Sequence, residues 1–161
     1  DWHQDATYWG LDDAEDVLTV WYAIDASNGA NGCVQALPHT HTTFAEHGKS
    51  TRGGNLLASN QAISVGNEAL ASKVDFDLRP GQASLHHGML IDGAGPTAWS
   101  SRRGGLTRRY APTGGRQTGE MKAGGTWRAL CVRGEDRFGH FPGVVPPAFA
   151  ASSPSEANDG S

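Results

Sequence analysis

His3 and Asp5 stand two residues apart near the start of the chain, flanked by Trp2 and followed by Tyr8. On an extended strand successive side chains alternate, so residues two apart share a face. An imidazole and a carboxylate on one face supply two of the three ligands in a facial set of two His and one carboxylate. Such a set binds Fe(II) and leaves three coordination positions open. An isolated H-x-D is also a chance pattern, so the pair needs support from the rest of the chain. The remaining imidazoles are His39, His41, His47, His86, His87 and His140. His39, His41, His47 and His140 are candidates in principle but read as polar loop residues. Trp9, Trp21 and Tyr22 read as core aromatics of strands.

These side chains need a scaffold, and the composition points to strands. The 161 residues, 37% of them hydrophobic, bury one modest core, so a single domain over residues 1–150 is expected. Glycine numbers 22 and helix-period stripes are scarce, which favours an all-β sandwich or barrel with long loops and few helices. Strands are expected at 2–9, carrying His3 and Asp5, and at 17–24, which is β-branched and aromatic. The turn-rich Asp25-Ala-Ser-Asn-Gly-Ala-Asn-Gly32 comes next, and a returning strand at 33–37 ends at Pro38. Residues 39–72 read as a long loop of the kind that forms a functional lid. Strand signals resume at 74–78, at 83–91, at 105–110 and at 127–132. Residues 151–161 have the composition of a disordered tail.

Charge is uneven although the net value is only -4: seven acids and no Lys or Arg lie in residues 1–25, and nine of thirteen Lys and Arg lie in residues 102–137. The basic segment lacks interleaved aromatics, so no nucleic-acid partner is expected. No apolar run approaches the roughly 20 residues of a membrane-spanning helix, and no membrane partner is expected. Cys33 and Cys131 have no metal-type spacing and read as buried thiols of a reduced, cytoplasmic protein, with a single disulfide as the other reading.

Several ordered blocks resemble the phytanoyl-CoA dioxygenase family. Trp2-His3-Gln4-Asp5-Ala6-Thr7-Tyr8 matches its H-x-D-x-x-Y segment, and VLTVWYAIDASNGANGCVQALPHTH is similar to its strand, Asn-Gly turn and Pro-to-His stretch. The resemblance continues from Arg79 to Pro96, at Arg103 and Tyr110, and at LCVRGEDRFGHF. It implies a double-stranded β-helix barrel, jelly-roll or cupin-like, here incomplete at its N-terminus. It further implies Fe(II), 2-oxoglutarate as cosubstrate, molecular oxygen, and hydroxylation of a small-molecule substrate with release of succinate. His3 and Asp5 fall on the first two metal ligands, Tyr8 on a cofactor-binding position, and Arg103 on the arginine that grips the 2-oxoglutarate C5 carboxylate. A planar, permanently charged fork suits that task, and either Arg102 or Arg103 can be the one that points inward.

One departure stands out. Where the family has His-Gly-Ser-Gly-Pro-Asn, this chain has Asp92-Gly93-Ala94-Gly95-Pro96-Thr97, so the third ligand position is Asp92. A second carboxylate adds negative charge and favours oxygen-loving ions. His86, sharing strand parity with Asp92, is a better substitute ligand than His87, and both read as structural. Two further functions stay open: a non-catalytic small-molecule binding protein on the same barrel, and a metal-dependent hydrolase or isomerase of the wider cupin type.

Overall fold

The strand Leu18–Ala23 (β2) alternates in what it can bury. Thr19, Trp21 and Ala23 turn inward and are buried, while Tyr22 is exposed on the other face. A computed structural model describes residues 1–50, 61–95, 102–119, 121 and 124–144. In it, β2 is flanked antiparallel by Ala83–His87 (β7) and Gly105–Tyr110 (β9). The facing sheet runs His3–Gln4 (β1), Ile91–Ala94 (β8), Val34–Ala36 (β3) and Val74–Asp75 (β6), in that order across it. A hairpin of Gly48–Lys49 (β4) and Gln61–Ala62 (β5) and one short α-helix, Asn67–Ala71 (α1), lie between β3 and β6 in the chain. Two antiparallel sheets joined by crossovers make the jelly-roll arrangement expected. Among the described residues the outer edge of β9 carries no ladder.

Trp21, Ala23 and Val34 pack between the sheets with Phe76 and Leu78. Trp9, Ala6 and Val17 form a second cluster with Met89, Ala111 and Trp127. Burying each large apolar side chain contributes about 1.5–3 kcal/mol. No helix among the described residues is long and apolar enough to cross a membrane.

Several expected elements are corrected. The strand at 2–9 stops at Gln4, and Asp5–Tyr8 is a 3-10 helix. There the Ala6 N–H leaves the ladder and donates to the Gly88 carbonyl at 2.9 Å. The segment after the Asn-Gly turn does not return along β2. Asn28 and Asn31 form a reciprocal cap, Gly32 takes φ 74°, and the chain crosses to the other sheet, where β3 pairs with β8 and β6. The strand at 74–78 shortens to Val74–Asp75 plus a bridge from Leu78 to Ser27.

The strand at 83–91 breaks between His87 and Ile91, so β7 and β8 belong to different sheets. Gly88 permits the break: a Cβ there would lie 2.5 Å from the Trp9 ring. At 127–132 only a bridge between Ala129 and Gly143 forms, because Trp127 instead packs edge-on against Trp9 and donates its Nε1–H to the Trp9 carbonyl. The strand at 105–110 lies where expected. Both cysteines are free, Cys33 buried but Cys131 exposed. The expected tail, residues 151–161, and Pro96 and Thr97 of the distal segment lie outside the described residues.

Candidate metal centre

β1 is short, yet it sets the site. His3 pairs in register with Asp92 on β8, placing an imidazole opposite a carboxylate at adjoining positions of one sheet. The 3-10 turn after Gln4 then brings Asp5 back, and Asp5 Oδ1 lies 3.4 Å from His3 Nε2. Gln4 anchors the turn. It is fully buried, its Nε2 donates to the carbonyls of Thr43 and Met89 at 2.8 and 2.6 Å, and its Oε1 accepts from Ala45 N at 2.8 Å.

From the facing sheet a rung of inward residues meets Asp5. Thr19 is opposite His86 on one side and Arg109 on the other, and directly opposed residues of an antiparallel pair share a face. Thr19 Oγ1 donates to Asp5 Oδ2 at 3.0 Å, and Arg109 Nη2 lies 3.6 Å from the same oxygen. Arg109 is itself stacked over the Trp9 ring at 5.4 Å.

The electrostatics arise from this packing. Burial opposes ionisation of Asp5, but the hydrogen bond with His3, the charges of Arg109 and His3, and the Thr19 hydroxyl together hold its carboxyl below the usual range. Burial also works against a charged His3, and the hydrogen bond to Asp5 with the charges of Asp92 and Asp5 outweighs it, raising the imidazole. Asp92 differs: burial, reinforced by the Asp5 charge and only partly offset by His3, pushes it up to about 7. Its Oδ1 is buried without a hydrogen-bond partner, as is His86 Nδ1. Burial lowers His86, opposed by the Asp5 charge and aided by the charges of Arg109 and His3.

Arg103, not Arg102, points inward. Its guanidinium lies over the Trp21 ring at 5.7 Å and its buried Nε has no partner, whereas Arg102 is exposed and pairs with Asp25 at 2.9 Å. Tyr8 packs edge-on between the rings of His3 and His47, at 5.9 and 6.0 Å. A cavity of about 360 Å3 opens beside it, lined by Tyr8, Trp9, Thr107, Arg109, Met121 and Trp127 among others.

The parity argument linking His86 to Asp92 fails because the strand breaks between them, yet both side chains are buried. His87 faces away, its Nδ1 accepting from Met89 N at 3.0 Å and its ring near His41. His47 accepts from Gln4 N, and His140 meets the carbonyls of Gly114 and Gly115. His39 occupies a turn at φ 65°. Sequence reasoning misses Gln4, Thr19 and Arg109. A signal for Thr19 exists, a polar residue on the inward parity of β2.

Among the described residues, no three His, Cys, Asp or Glu side chains are grouped closely enough to hold a metal ion. His3 and Asp5 converge, and Asp92, a hard oxygen donor, stands in register opposite His3 with an unpartnered buried oxygen.

The sequence profile of the phytanoyl-CoA dioxygenase (PhyH) family matches residues 1–104. The chain belongs to that family. It is 24% identical over 110 residues to a protein of Caenorhabditis elegans described as a probable phytanoyl-CoA dioxygenase, spanning 68% of this chain and 35% of that one. Among solved structures, the non-heme monooxygenase ThoJ in its apo form is 30% identical with a TM-score of 0.72, over 91% of this chain and 50% of ThoJ. The non-heme alpha ketoglutarate dependent epimerase SnoN from nogalamycin biosynthesis shares the fold at 18% identity and a TM-score of 0.56, over 91% of this chain and 52% of SnoN. This PhyH-family chain thus spans about half the length of these solved relatives.

Proposed function

We propose that this chain carries the metal and cosubstrate side of an Fe(II)- and 2-oxoglutarate-dependent oxygenase that hydroxylates a small organic molecule. The observation that carries the reading is the approach of His3 Nε2 to Asp5 Oδ1, with Asp92 in register opposite His3. ThoJ has also been solved as a nickel complex, and SnoN with Fe3+ and alpha ketoglutarate, which supports the same assignment of cofactors. His3, Asp5 and Asp92 would hold the ion. A bound Fe(II) would supply oxygen activation coupled to decarboxylation of 2-oxoglutarate to succinate.

The chain's own residues do the positioning. Arg103 anchors the C5 carboxylate: its guanidinium covers Trp21, two residues or about 7 Å along β2 from Thr19, a span suited to a five-carbon dicarboxylate reaching toward Asp5. Its buried, unpartnered Nε favours an anion. Tyr8 orients the His3 ring and walls the cosubstrate side, and Trp9 and Trp127 give the adjoining cavity apolar walls. Succinate formation that depends on Fe(II) and substrate and is lost in His3→Ala tests this. No turnover with any divalent metal would overturn it.

A second reading has an observation of its own. A carboxyl pushed up to about 7 is half protonated near neutrality and is then a poor ligand, which favours a family member that binds a small molecule without turning it over. Titration with Fe(II) followed by a succinate assay separates the two: a chain that binds its ligands but forms no succinate supports the second reading, and tight binding of both Fe(II) and 2-oxoglutarate excludes a purely structural barrel.

A further inference from the structure

The two oxygens of Asp5 have different surroundings. Oδ2 accepts the Thr19 hydroxyl at 3.0 Å and lies 3.6 Å from Arg109, whereas Oδ1 faces His3 Nε2. Thr19 is 2% exposed on the central strand of its sheet, held by ladders on both sides through His86 and Arg109. A β-branched side chain in that setting has little freedom at χ1. Its hydroxyl is therefore a fixed point in a sheet that does not include β1, while Asp5 sits on a 3-10 turn outside any ladder.

We infer that Thr19 is a positioning residue that holds Asp5 as a one-oxygen donor, keeping Oδ2 occupied so that Oδ1 alone is shared with the ion beside His3. This role rests on the metal-binding function proposed for His3 and Asp5. A carboxylate free to rotate would offer either oxygen or both, and the ion's coordination number would change with it. Partners that orient a ligating carboxylate govern metal affinity as well as geometry. Arg109, stacked on Trp9, adds a second hold on Oδ2, but its positive charge also repels a cation, so Thr19 is the cleaner probe.

The test is titration of the full chain with Co(II), read as a dissociation constant and as the visible absorption of the bound ion. Thr19→Val keeps the shape and removes the donor, and Thr19→Ala removes it by another route. Both should weaken Co(II) binding about 10–100-fold and alter the absorption bands, while Thr19→Ser should restore both. Thermal melting verifies that each variant is folded. Binding and spectra unchanged in Thr19→Val and Thr19→Ala overturn the inference while leaving the metal reading intact. Equal weakening in Thr19→Ser also overturns it, assigning the effect to the methyl group. A wild-type chain that takes up no Co(II) overturns the metal reading itself, and the role of Thr19 with it.

Discussion

Replacing Asp92 with Asn should make the metal-free protein more stable, increasingly so as pH rises. Asp92 is 7% exposed with an unpartnered Oδ1, and its carboxyl is pushed up to about 7, chiefly by burial. In the unfolded chain it returns to about 3.9. The folded state therefore holds the proton more tightly. Below about pH 4 both states are protonated and the group is neutral to stability. As pH climbs from about 4 to about 7 the unfolded chain ionises and the folded one resists, so stability falls by about 1.4 kcal/mol per unit, or about 4 kcal/mol across the window. Against a typical total of about 5–15 kcal/mol this is a large fraction. Asn keeps the shape and does not titrate. His3, raised by the same carboxylates, takes a share of the effect when it is charged. Urea denaturation followed by Trp fluorescence, with chelator present, at about pH 5, 6, 7 and 8 gives the gap between Asp92→Asn and wild type. A gap that widens with pH and levels off near pH 7–8 is expected. A gap independent of pH, or a variant less stable above neutrality, would refute the reasoning.

Arg103→Leu should weaken 2-oxoglutarate binding by about 10–100-fold, the loss of a charge-assisted pair worth about 1.5–3 kcal/mol, with Co(II) affinity little changed; calorimetric titration of each ligand reads both. Gln4→Leu strands the partners at Thr43, Met89 and Ala45; at about 1–3 kcal/mol per orphaned group the expected loss is several kcal/mol, visible as a lowered Tm. Gly105→Ala would place a Cβ 2.2 Å from the Trp21 ring, so destabilisation of about 1–3 kcal/mol and a changed near-ultraviolet Trp signal are expected.

How much of the site is legible in the sequence depends on the range of each signal. The His3-x-Asp5 spacing is visible, but strand parity is not what makes the two side chains converge. A 3-10 turn anchored by Gln4 does so instead. The family resemblance points to Arg103, and only packing against Trp21 distinguishes it from Arg102. Arg109 carries no local signal at all. Its approach to Asp5 crosses from one sheet to the other, and no period within β9 encodes that contact.

By itself the sequence determined the family, an all-β character, and strands such as β2 and β9, because alternation and turn chemistry are written within a few residues. Only the tertiary structure decided that the chain crosses sheets after Gly32, that the strand breaks at Gly88 beneath Trp9, and that Thr19 and Arg109 meet Asp5. Each of those depends on which distant surface a segment packs against. Burial of Asp92 is of the same kind: the substitution is plain in the sequence, but its raised pKa comes chiefly from burial between the folded sheets, with the Asp5 charge adding to it.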